Sequence, residues 1–164
     1  MQPLRLSNRL SRSFDDYAMQ HQSFANQLTH AVGVPMIVFS LLGILSHLEV
    51  AHFVTPFSVE VSINLGLILW FLAGIFYFFL DWRLALPFQF CSLGLYLASQ
   101  SVTLFLLWTL FLVGWVLQFV GHVIWERRQP AFFNHLKYVL IGPFWMFAQS
   151  INYVNPDLIS ETVD

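Results

Sequence analysis

Charged residues fall in short clusters along this chain, and long apolar runs separate them. A helix crossing the hydrocarbon core of a membrane needs about 20 apolar residues, within a range of roughly 17–25. Residues 61–80, VSINLGLILWFLAGIFYFFL, meet that requirement without a single charge. Residues 31–48 also fit, with Pro35 near the start, where a missing N–H does least harm. Residues 84–125 run for 42 positions without a charge, too long for one span, and the polar stretch ASQS at 98–101 is where the run folds back. A last segment, 137–151, is short and carries Gly142-Pro143 in its middle, as a kinked span or a re-entrant piece would. The pattern predicts an all-α polytopic membrane bundle of about five spans, at 31–48, 61–80, 84–99, 102–125 and 137–151. These form one domain over residues 1–164, with residues 1–30 as a cytoplasmic segment that includes an interfacial helix.

Composition sharpens this picture. The chain is 57% hydrophobic and 10% charged, against about 25% charged in a soluble domain. So few charges cannot cover a water-facing surface. The single Cys91 excludes an internal disulfide framework. A net charge of −2 argues against a nucleic-acid partner. Residues 1–30 are polar and show no cleavable signal, so the first span is expected to act as its own insertion signal.

Five spans place Arg5, Arg9, Arg12, Arg83, Arg127, Arg128 and Lys137 on one side, which is all seven of the basic residues. The positive-inside rule then puts that side, with the N-terminus, in the cytoplasm. His21, His30, His122 and His135 lie on or near this side, whereas His47 and His52 fall at the far one. A span separates the two groups by about 30 Å, while metal–imidazole bonds measure about 2 Å. One metal cannot use both, and His47 and His52 read as interfacial polar residues.

His21 and His30 are nine residues apart, which on one straight helix puts them on opposite faces. Either the helix breaks near residues 22–25, or only one of the two is a ligand. On the fourth span Gln118, His122 and Glu126 recur every four residues and form a polar stripe on an otherwise apolar helix. Polar groups in a span usually face the bundle interior and mark a functional path; the plainer alternative is a helix end snorkelling to headgroups. Imidazoles with a carboxylate suit a non-haem Fe(II) centre with open positions. Zinc suits the same donors, and haem takes axial histidine but needs no carboxylate. Arg127 and Arg128 fit either a carboxylate partner or plain membrane topology. A non-enzymatic transporter or lipid-binding protein, a zinc-dependent lipid hydrolase and a haem electron carrier are the rival functions.

Two motifs carry a resemblance to a known family. QFVGHVIWERRQPA, from Gln118, resembles the Q-F-x-G-H-x3-E-x-R-x-P-A signature of a small membrane family whose characterised fungal member is an endoplasmic-reticulum 2-hydroxy-fatty-acid dioxygenase. Y-x3-H-x4-N-x3-H-x4-P, from Tyr17 to Pro35, looks like that family's other motif. The resemblance implies an Fe(II) enzyme that uses O2 to shorten a 2-hydroxy fatty acid by one carbon. It implies His21, His30, His122 and Glu126 as the metal set. Tyr17, Asn26, Gln118 and Arg128 match further motif positions, counted with the catalytic residues without individual roles. His135 has no counterpart in the motifs. The expected partners are the 2-hydroxy fatty acid, O2 and membrane lipid. The host membrane is bacterial inner membrane or endoplasmic reticulum, with the metal site on the cytoplasmic side.

Overall fold

The computed structural model describes residues 8–58, 60–127, 130 and 135–151, with residue 8 described for its backbone alone. Six α-helices, one π-helical turn and a two-stranded hairpin make up the described chain.

Helix α1, Asn8–Ala18, is amphipathic and buries Leu10, Phe14 and Tyr17, spaced four and three apart on one face. That stripe meets α6, Lys137–Ser150, through Phe144 and Trp145. The apolar face expected to lie on a membrane interface is thus covered by protein. Its 14 residues make α6 about 21 Å long, short of the roughly 30 Å of a hydrocarbon core.

Helix α2, Phe24–Ser46, begins seven residues before position 31, so Pro35 lies inside the helix instead of near its start. The reason is burial. Asn26 and His30, which the sequence assigned to the cytoplasmic segment ahead of the first span, are 0% and 2% exposed and are part of the helix's interior face. Helix α5, Leu104–Val120, is the chief partner of α2. The two backbones touch where both residues are glycine: a Cβ added at Gly114 would stand 3.0 Å from the Gly33 carbonyl oxygen. Small residues permit this close approach between apolar helices.

Strands β1, Glu49–Val54, and β2, Glu60–Asn64, pair antiparallel, with Phe53 opposite Val61. Residues 61–64 therefore belong to a strand and not to the second span, as the alternating, β-branched V-S-I-N allows. Asn64 ends the strand and starts α3, Leu65–Leu80: its Oδ1 accepts the Leu67 N–H at 2.9 Å, and its Nδ2 donates to the Tyr96 hydroxyl at 2.9 Å. Helix α4, Trp82–Ser99, follows after Asp81 caps it through the Arg83 N–H. The chain reverses over 100–103, and Thr103 caps α5.

Among the described residues, Phe24–Ser46 and Leu104–Glu126 are long and apolar enough to cross a membrane, each 23 residues with mean hydropathy of 2.0 and 2.1. Most of both helices faces outward, with only 33% and 22% of their most apolar windows buried. Phe79, Phe90 and Phe105 on α3, α4 and α5 are also exposed. By length and hydropathy the structure thus offers two candidate spans where the sequence suggested five; α3 falls short at 16 residues and α6 at 14.

Candidate metal centre

Helix α1 ends at Ala18 and α2 starts at Phe24, so the chain turns between His21 and His30. The turn brings their imidazoles together, and His122 joins them from the end of α5. There the backbone widens into a π-helical turn, Gly121–Glu126, closed by the Arg127 N–H donating to the His122 carbonyl with Arg127 in the left-handed region. Such π-helical segments recur at functional sites because they re-aim side chains that a regular helix would keep on one face. Here the turn aims His122 at His21 and His30 and Glu126 at the start of α2.

The ring nitrogens have fixed roles. The His21 Nδ1–H donates to the Tyr17 carbonyl at 2.7 Å, and the His30 Nδ1–H donates to the Asn26 carbonyl at 2.9 Å. A carbonyl only accepts, so in each neutral ring the proton sits on Nδ1 and the lone pair on Nε2. Those two Nε2 atoms face each other at 3.2 Å. Two lone pairs cannot bond to one another, but both could be donated to one cation. His122 has a buried Nδ1 without a hydrogen-bond partner, and its ring lies 4.7 Å from His21 and 4.9 Å from His30, centroid to centroid.

One ligand atom from each of the three rings falls within 4.8 Å of the others. Nitrogens bound to one metal at about 2.0–2.1 Å stand roughly 3.0–3.4 Å apart, which matches the His21–His30 separation. The three residues fit a metal ion. All are buried, at 1%, 2% and 3% exposure. Burial, with His30 alongside, pushes the His21 pKa down to about 3, which keeps the ring neutral and its lone pair available.

Glu126, assigned to the metal set from the sequence, stands beside the trio. Its Oε1 accepts the Ser23 backbone N–H at 2.7 Å and the Asn26 Nδ2–H at 3.2 Å. Gln27 Nε2 donates to the His21 carbonyl at 2.8 Å, so the turn carrying His21 is tied at both ends. Tyr17 stacks on His21 at 4.0 Å, and burial pushes its hydroxyl pKa up. Gln118 is buried with its Nε2 unpartnered, in space that Gly33 leaves open. Arg128 lies outside the described residues. His135 is exposed, and His47 and His52 sit at the opposite end of α2 or in the hairpin beyond it.

Three contributors escaped the sequence reading. Ser23 supplies the N–H to Glu126, and its only signal is its place just ahead of a helix. Trp145 packs 5.2 Å from Tyr17 and 6.0 Å from His21, and Tyr138 donates to Asp16 at 3.2 Å. In the sequence both read as ordinary members of an apolar run.

From the trio a cavity of about 240 Å³ extends among α2, α3, α4 and α6, lined by aliphatic and aromatic side chains. A buried trio of histidines that could hold a metal ion thus lies at the head of an apolar cavity inside a helical bundle. The family described as "2-hydroxy-palmitic acid dioxygenase Mpo1-like" matches residues 7–153, and the chain belongs to this Mpo1-like family. It is 30% identical over 135 residues to the 2-hydroxy-palmitic acid dioxygenase MPO1 of Saccharomyces cerevisiae, covering 79% of this chain and 72% of the yeast protein. No solved structure matches the chain.

Proposed function

We propose that this protein is an integral membrane, Fe(II)-dependent dioxygenase that removes one carbon from a 2-hydroxy fatty acid. The two Nε2 lone pairs converging at 3.2 Å carry the reading, because they leave a place that only a cation fills well. Family membership supplies the reaction class, and the apolar cavity suits an acyl tail. The outward phenylalanines and the two long apolar helices support a membrane setting of bacterial inner-membrane or endoplasmic-reticulum type. We read the basic loops and the metal site as cytoplasmic, and the shorter apolar helices as completing the bundle alongside α2 and α5.

His21, His30 and His122 would hold the iron. Bound there, Fe(II) supplies the activation of O2. The balanced reaction converts one 2-hydroxy acid and one O2 into the acid shortened by one carbon, CO2 and water, with the C1–C2 bond broken. The chain's own residues bind and orient the substrate. The unpartnered Gln118 amide donates to the carboxylate or 2-hydroxyl, one helical turn from His122. Arg128, adjacent in the motif, neutralises the carboxylate. Tyr17 stacks on His21 and fixes the plane of its ring. Glu126 holds Ser23 and Asn26, and through them the two chain segments bearing His21 and His30.

Metal analysis of anaerobically purified wild-type protein and His122→Ala tests this proposal, together with O2-dependent release of the shortened acid. Stoichiometric iron in the wild type only, with turnover that stops without O2, is the expected result. Stoichiometric zinc with O2-independent hydrolysis would replace the dioxygenase with a hydrolase. Protein that binds no metal, even after Fe(II) is added, would leave a lipid-binding or transport role.

A further inference from the structure

The cavity does not stop at the imidazoles. Val34, Ile37, Val38 and Leu41 line it from α2, and Ala73 and Tyr77 line it from α3. The lining runs along α2 from His30 to Leu42, twelve residues and therefore about 18 Å at the helical rise. Leu42 is the lining residue furthest along α2; Gly66 of α3 packs against its carbonyl, and Leu69 and Trp70 follow in the next turn, with Ser92 bonded to Trp70. Further along the bundle Asn64 donates to the Tyr96 hydroxyl, and Leu107 packs against Gly43.

Trp70 is tied to α4 by both its indole and its backbone. Its Nε1–H donates to Ser92 Oγ at 3.0 Å, and the Ser92 hydroxyl donates on to the Gln89 carbonyl at 3.1 Å. Gln89 Nε2 donates back to the Trp70 carbonyl at 3.3 Å, closing a ring of contacts between α3 and α4. The Gln89 amide occupies space that any side chain at Gly74 would take. Polar groups in such surroundings hold their partners tightly, because water is not there to replace a lost bond.

We propose that Trp70, fixed by Ser92 and Gln89, is the floor that sets the length of acyl tail this cavity accepts. The proposal rests on the reading above, in which the acid's head lies at the imidazoles. A chain of single bonds advances roughly 1.2 Å per bond when extended, so the run from His30 to Leu42 takes about 15 bonds, a chain of about 16 carbons. Each methylene buried short of the floor raises affinity about fourfold. A methylene that would pass the indole adds nothing or forces the tail to bend.

The test is displacement of a fluorescent polyene fatty acid by 2-hydroxy acids of 8 to 22 carbons, measured anaerobically on the purified protein. Wild-type affinity climbs about fourfold per methylene and breaks near the floor. Trp70→Ala moves the break outward by two carbons or more. Ser92→Ala frees the indole and blurs the break, and Ala73→Phe moves it inward. Unchanged affinity for the shortest acids shows that each variant is folded, and if Trp70→Ala fails this check, Trp70→Phe and Ala73→Phe decide. A break that stays in place in folded variants overturns the proposal, as does a wild type without one. Turnover measured on the same series separates the two readings. A movable break without O2 consumption defeats the dioxygenase and keeps the floor. Turnover with an immovable break does the reverse.

Discussion

His21, His30 and His122 with Glu126 occupy one end of the bundle; His47 and His52 with Glu49 and Glu60 occupy the other. The residue types are the same and the settings are opposite. These three imidazoles of the first end are buried, and two of them have their protons fixed by backbone carbonyls. At the second, His52 approaches Glu60 at 3.9 Å with the two side chains 46% and 77% exposed. An exposed pair of that kind contributes little, since water and salt screen it. Histidine makes a site only where the fold removes water and leaves lone pairs facing inward.

The largest expected effect comes from removing a ligand. His21→Ala, His30→Ala or His122→Ala should each lose stoichiometric metal and lower turnover by more than about 100-fold, because losing a mere outer partner of a ligand already costs roughly 10–100-fold. Elemental analysis and product assay check this. Equal iron in His122→Ala and wild type would end the distinction between the two regions.

Acid should act on the same end. His21 has a folded pKa of about 3 against the ordinary 6.5, so the unfolded chain takes up its proton first as pH falls. Its contribution to stability is complete above about pH 6.5 and is lost progressively toward pH 3. Thermal unfolding of the metal-free protein should show this loss. His21→Leu should flatten it, and His52→Ala should not.

Glu126→Ala should weaken metal binding by roughly 10–100-fold and leave the overall helicity unchanged. A loss as complete as that of a histidine variant would make Glu126 a direct ligand. Gly121→Ala comes next. Its methyl group would press on the Asn26 Oδ1 and Thr29 Oγ1, so a stability loss of about 1–3 kcal/mol is expected. Gly94→Ala, where nothing lies within 4 Å, should cost nothing. His52→Ala should be as mild, within about 0.5 kcal/mol of wild type, with metal content unchanged.

Much of this was legible in the sequence because it depends on local pattern. The apolar runs, the reversal near 98–101 and the grouping of six histidines into two sets follow from hydropathy and from how far a span reaches. The motif spacing marked His21, His30 and His122. It also posed the question of the nine-residue separation, which the turn between α1 and α2 answers. Other features depended on partners distant in the chain. Nothing local says that α1 spends its apolar stripe on α6, or that Asn26 and His30 are buried so that α2 starts at Phe24. The hairpin over 49–64 was hidden because a β-branched alternating stretch joins directly to an apolar helix.

By itself the sequence determined that most elements are apolar helices and marked His21, His30 and His122 by motif spacing, since hydrophobic periodicity and residue spacing are properties of neighbours along the chain. Only the tertiary structure decided which lone pairs face one another, that Glu126 grips Ser23 and Asn26, and that Trp70 lines the same cavity as the imidazoles. Those relations join residues up to 103 positions apart. They depend on how helices cross and where a π-helical turn re-aims side chains, and such geometry is fixed by packing across the whole bundle.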